Sequence, residues 1–143
     1  MARPMTEQEV RDFLSAGTRT GKLAVVRSDG APMVLPVWFV VDDDGSLVFN
    51  TGADTLKGKA LRRDPRVSIC VDDERPPFGF VRVDGVAELS EDLGAMLPWA
   101  TAIARRYMGE DLAGAYGKRN AVDGELLVRV TPTRVVAVAD VAG

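Results

Sequence analysis

Two acidic turns ending in glycine dictate most of what this chain can become. Asp29-Gly30 lies between the apolar runs KLAVVRS (Lys22–Ser28) and MVLPVWFVVDD (Met33–Asp43). The turn DDDG (Asp42–Gly45) leads from the second run into SLVFNT (Ser46–Thr51). An Asp-Gly pair supplies the positive φ that a tight hairpin turn requires. Strands joined this closely must run antiparallel, because a parallel pair needs a crossover of roughly a dozen residues or more. The sequence therefore predicts an antiparallel meander and excludes a doubly wound parallel sheet. Pro36 cannot donate a ladder hydrogen bond, so its strand belongs at a sheet edge or a bulge.

The other segments fit the same plan. TEQEVRDFLSAG predicts a short helix, with Thr6 and Glu9 forming a capping box and Gly17 ending it. ADTLKGKALRRDP predicts a second helix, capped by Asp54 or Thr55 and stopped at Asp64-Pro65. RVSICVDD and FVRVDGVAELS read as strands, the latter with a bulge or bend at Gly85. Residues 91–119 read as helical, and GELLVRVTPTRVVAVADV as two strands broken near Thr131-Pro132. The sum is about six or seven strands and three or four helices, a mainly β (α+β) chain. It predicts a small antiparallel barrel with peripheral helices, one domain over residues 1–143.

Composition narrows the chemistry. With 46% hydrophobic residues the chain can bury a core, and a net charge of -3 argues against a nucleic-acid partner. No apolar run is long enough to span a bilayer, and no signal peptide is evident, so a cytoplasmic protein is expected. The chain has no histidine and a single cysteine, Cys70. That removes the commonest general base, every His-containing triad and a transition-metal site. No catalytic side chain can be named, and any hard chemistry falls to an organic cofactor. Cys70 reads as a buried strand residue.

Against this acidic background, Asn50–Arg66 gathers Lys57, Lys59, Arg62, Arg63 and Arg66. It is not a Walker A loop: five residues separate Gly52 from Gly58, and Ala60 stands where a hydroxyl is needed. A strand end followed by a helix start does favour an anion, through free N–H groups and the helix dipole. A solvated basic helix face gives the same pattern. Trp38 and Phe39, adjacent on one strand, point to opposite faces, so either both simply pack or one serves the core while the other lines a cleft or interface. Phe78 and Phe80 share a face if extended, as core or as an apolar wall over a ligand.

Taken together, DGAPMVLPVWFVVDDDG, the segment Lys57–Ser68 (KGKALRRDPRVS) and VDGVAEL resemble the split-barrel flavin and deazaflavin reductases, the pyridoxamine-phosphate-oxidase-like superfamily. The resemblance spans Thr6 to Val138. LRRDPRVS and the short length look most like the branch using the deazaflavin coenzyme F420, common in actinobacteria, and 14 arginines among 18 basic residues suit a GC-rich genome. The resemblance implies a six-stranded FMN-binding-type split barrel and a homodimer with two cofactor sites at its interface. Within it, Lys57 matches the phosphate-binding lysine and Lys59 a neighbouring basic position that also faces the phosphate. Thr55 stands where an arginine is often found, so its hydroxyl or the helix N-terminus must substitute. Asn50 and Thr51 match the strand end lining the deazaflavin ring, and Pro36, Val37 and Trp38 the strand whose backbone meets it. Phe78 and Phe80 match aromatic positions supplied by the opposite subunit. Arg62, Arg63 or Arg66 would form a basic track for an acidic cofactor tail. The implied activity is hydride transfer from reduced F420 to a small electron-poor acceptor, such as an activated alkene or quinone. An FMN-binding oxidase or flavin reductase of the same fold, and a non-catalytic F420 carrier, are the other readings.

Overall fold

The computed structural model describes residues 1–143. In chain order its elements are β1 (Arg3–Pro4), α1 (Glu7–Ser15), β2 (Gly21–Val26), β3 (Pro32–Val37), β4 (Val40–Val41), β5 (Leu47–Gly52), α2 (Leu56–Arg63), β6 (Arg66–Asp72), β7 (Phe80–Ser90), α3 (Leu93–Met108), α4 (Glu110–Asn120) and β8 (Glu125–Ala139). One sheet runs in the order β3-β2-β6-β7-β8-β5-β4, with β1 paired to β8. The paired strands are antiparallel. The split barrel with peripheral helices is thus the observed architecture.

The turns perform as their residues dictate. Gly30 and Gly45 take positive φ, at 84° and 89°. Asp29 Oδ1 accepts the Ala31 N–H at 2.9 Å inside the first turn. The β2–β3 register places Pro36 opposite Lys22 at the end of the strand order, where a missing N–H goes unnoticed.

Three details differ from the sequence reading. The sheet has eight strands, not six: the six long ones are β2, β3, β5, β6, β7 and β8, and β1 and β4 add two residues each. The strand drawn through Met33–Asp43 breaks at Trp38-Phe39, because the chain there crosses from one end of the strand order to the other. The last two strands are one strand, β8, of 15 residues. Gly85 pairs with Pro132 and Asp84 with Arg134, so Thr133 bulges out. Continuous pairing to β7 carries the chain past the proline, and the Thr133 hydroxyl donates to the Asp84 carbonyl at 3.1 Å. Residues 91–119 hold two helices, divided at Gly109 with φ 93°.

The barrel interior is filled by Leu23, Phe39, Phe49, Ile69, Val81 and Leu126 with their neighbours. Each such side chain contributes about 1.5–3 kcal/mol on burial. A smaller cluster, Val48, Met96 and Leu127, lies on the other face of β5 and β8, with Trp99 packed against it. Strand β5 and the paired start of β8 are therefore buried on both faces, which explains the apolar runs LVF and LLV. Helix α2 packs on β2 and on β5, two strands that are not hydrogen-bonded neighbours, and buries Ala60 and Leu61 in the barrel core. No helix of the chain is long and apolar enough to cross a membrane.

Candidate cofactor site

The start of α2 is where strand, helix dipole and lysine meet. Thr55 caps the helix, accepting the Gly58 N–H at 3.0 Å and donating its hydroxyl to the Gly52 carbonyl at 2.7 Å. That hydroxyl is therefore committed to the cap. The Leu56 and Lys57 N–H groups, which no helix can satisfy internally, are left without an acceptor in the chain. Gly58 lets the helix lie directly against β5: a methyl there would overlap the Gly52 carbonyl oxygen.

Lys57 follows in the first turn, half-buried and without a hydrogen-bond partner. Burial pushes its ammonium below the ordinary lysine value, and the nearby Glu125 carboxylate pulls it back up. Glu125 opens β8 opposite Gly52. Burial raises its carboxyl, and Lys57 opposes the rise. The sequence reading missed Glu125, since only the β5–β8 register brings it to the helix.

The other basic residues do not join Lys57. Lys59, two positions on and so about 200° around the helix, is exposed and lines a concavity of about 310 Å³ with Arg27, Asp29 and Arg63. Arg62 pairs with Glu91, and Arg66 with Asp64 at 2.7 Å. Arg63 donates to the Val26 carbonyl at 3.3 Å. Exposed pairs of this kind hold each side chain only weakly, because water screens them.

Asn50 and Thr51 turn to opposite faces of β5. Asn50 pairs with Leu127, on the helix side, and Thr51 with Leu126, in the barrel interior. Both amide atoms of Asn50 and the Thr51 hydroxyl are buried with no partner. Each such group costs roughly 1–3 kcal/mol. Asn50 shares its face of the sheet with Glu125, two cross-strand pairs along. Beyond Val48, β4 no longer pairs with β5, so the strand edge at Asn50–Gly52 lacks a strand partner on that side.

Around Pro36 the chain separates apolar tasks. Val37 and Phe39 are buried in the core, whereas Pro36 is exposed and Trp38 is 42% exposed. Arg106, on α3, donates to the carbonyls of Leu14, Gly17 and Phe39 at 2.7, 3.0 and 2.7 Å. This clamp ties three segments together, and nothing in sequence spacing reveals it.

Phe78 and Phe80 border one groove of about 810 Å³ with Lys22, Cys70 and Asp72. They do so without an extended Phe78, whose φ is 64°. Lys22 pairs with Asp72 at 2.8 Å beneath them. Cys70 is half-buried in this groove rather than fully buried, because its strand position faces out of the barrel. Within one chain, then, Asn50, Thr55 and Lys57 gather at the β5–α2 junction, while the phenylalanines lie beside β6 and β7.

An antiparallel split barrel with an anion-ready helix start and a half-exposed aromatic strand end defines a flavin-oxidoreductase type of fold. Residues 6–139 match the family described as pyridoxamine 5'-phosphate oxidase, and the chain belongs to that family. A conserved hypothetical protein from Mycobacterium tuberculosis is 30% identical, with TM-score 0.81, over 93% of this chain and 84% of that one. A structure named F420 reductase is 25% identical, with TM-score 0.71, over 87% of this chain and 94% of that one. A FAD-binding protein from Mesorhizobium loti, 23% identical with TM-score 0.69 and 96% coverage of both chains, shares the fold. No curated protein matches the chain.

Proposed function

We propose that this chain is an F420H2-dependent reductase, acting as a cytoplasmic homodimer on a small electron-poor acceptor such as an activated alkene or quinone. The observation that carries the reading is Lys57: a half-buried ammonium without a hydrogen-bond partner, at a helix start whose first N–H groups have no acceptor in the chain. Glu125 is a nearby counter-charge but forms no hydrogen bond with it, so the ammonium keeps its donors free for an anion at the helix start. The residues fit the coenzyme, with Lys57 and the α2 N–H groups on its phosphodiester and the free edge of β5 beside its ring. The backbone at Pro36–Trp38 would also line the ring. Arg62 and Arg63 on α2 and Arg66 at the start of β6, held only by weak contacts, form the track for the acidic tail. Phe78 and Phe80, at 42% exposure for Phe78, are contributed to the partner's site. Similarity to the structure named F420 reductase supports the choice of cofactor.

When bound, reduced F420 supplies a hydride from C5 to the acceptor carbon. The chain's residues hold the cofactor, exclude water and shape the acceptor pocket, and the proton that completes the product comes from solvent. Titration of the purified protein with F420 and with FMN, followed by fluorescence quenching, tests the reading. Tight FMN binding with none for F420 selects the FMN-dependent oxidase or reductase instead. F420 binding without reduction of any acceptor makes the protein a carrier. Lys57→Ala should weaken F420 binding by about 1.5–3 kcal/mol, the scale of a charge-assisted hydrogen bond. An unchanged dissociation constant removes Lys57 from the site.

A further inference from the structure

A carboxylate stands beside the helix start proposed to hold the anion. Glu125 begins β8 opposite Gly52, and its Oε2 lies 3.3 Å from where a Gly52 side chain would begin. The Thr55 methyl is 3.1 Å from that same point, so the carboxylate lies beside the α2 cap. It is half-buried and accepts no hydrogen bond. Lys57 is its nearby counter-charge. No second cation balances the pair: Arg62 and Arg66 are held by Glu91 and Asp64, and Lys59 lies on another side of the helix.

We propose that Glu125 is a specificity-determining residue, setting the charge of the anion that this site accepts. It admits a phosphodiester, with one negative charge, and disfavours a phosphomonoester, with two. The inference rests on the reading of Lys57 as the phosphate-binding lysine. With Glu125 ionised, Lys57 and Glu125 sum to zero charge. A diester adds one negative charge to that neutral pair. A monoester, whose second ionisation lies near pH 6, adds two at neutral pH. In a partly desolvated site the effective permittivity is about 20, so the extra repulsion is not screened away as it is in water. Glu125 thus separates F420-like diesters from FMN by charge, before any contact with the ring.

The test uses three ligands with one ring system. FMN, riboflavin 4',5'-cyclic phosphate and riboflavin carry a monoester, a diester and no phosphate. Dissociation constants are measured by flavin fluorescence for the wild type, Glu125→Gln and Glu125→Asp. Glu125→Gln should tighten FMN by about tenfold, tighten the singly charged cyclic phosphate by about threefold, half the free-energy change, and leave riboflavin unchanged. Glu125→Asp, which keeps the charge, should retain the wild-type preference. Equal shifts for FMN and the cyclic phosphate, or no tightening of FMN, overturn the proposal. Loss of the preference in Glu125→Asp as well does the same, by assigning the effect to shape. Absence of phosphate-dependent flavin binding in both the wild type and Glu125→Gln also counts against it. Failure of F420 to bind the wild type would refute the F420 reading alone, since this comparison contains no F420.

Discussion

Trp38 stacks on Tyr107 with ring centroids 5.0 Å apart and planes 6° from parallel. Behind the stack, the Tyr107 hydroxyl donates to the Arg19 carbonyl at 2.8 Å and accepts the Phe39 N–H at 3.3 Å. One phenol therefore supports the aromatic at the strand end and fixes the chain where it crosses the sheet. Burial raises the Tyr107 phenol above its ordinary value, so it stays protonated at neutral pH and remains a donor.

Tyr107→Phe keeps the ring and removes both hydrogen bonds. The expected loss is about 1–3 kcal/mol of stability, read from the urea midpoint, with Trp38 emission little changed. A midpoint equal to the wild type would show that water replaces the hydroxyl.

Alanine usually stabilises a helix relative to glycine by about 1 kcal/mol. Gly58→Ala should do the reverse, because its methyl meets the Gly52 carbonyl oxygen and helix α2 must move off β5. We expect a loss of about 1–3 kcal/mol, the scale of overpacking, together with weaker cofactor binding. Unaltered thermal midpoint and affinity would contradict the close approach.

Glu125 gives a stability effect with a defined sign. Burial raises its folded-state value above the ordinary 4.5, so its contribution is fully present below that value and is lost as pH rises through the folded one. Glu125→Gln has no such loss. The urea midpoint of the variant should gain on the wild type as pH goes from about 4 to about 7. A gap that narrows over this interval would reverse the assignment.

Cys70 should react slowly. Burial raises its thiol, and Asp72 adds to the rise, so little thiolate is present at neutral pH. Iodoacetamide should label it more slowly than free cysteine, faster with rising pH, and fastest in guanidinium. Labelling in the native state at the free-cysteine rate would show an activated thiol instead.

Much of the fold was legible because its signals are local. Asp29-Gly30 and Asp42–Gly45 set the hairpins, and Thr6 with Glu9 forms the capping box the sequence calls for, the Thr6 hydroxyl accepting the Glu9 N–H at 3.1 Å. Thr131-Pro132 misled because a proline looks like a strand end when the partner strand is unknown; continuous pairing to β7 overrides it. The α2 segment was legible as a basic cluster, but sequence spacing does not tell where each side chain goes. Lys57 turns toward Glu125 and Lys59 toward the β2–β3 hairpin, since helix geometry separates neighbours that the sequence places together. Glu125 and Arg106 were invisible for the converse reason: they reach their partners from distant parts of the chain.

The contact of Gly58 with the β5 backbone carries one more consequence. Main chain rests on main chain there, so the position of Lys57's backbone does not depend on any side chain settling into place. The conformational entropy of that segment is lost when the barrel folds, not when a ligand arrives. A molecule that docks at the helix start meets a preorganised surface, and its affinity is not reduced by ordering of the α2 backbone.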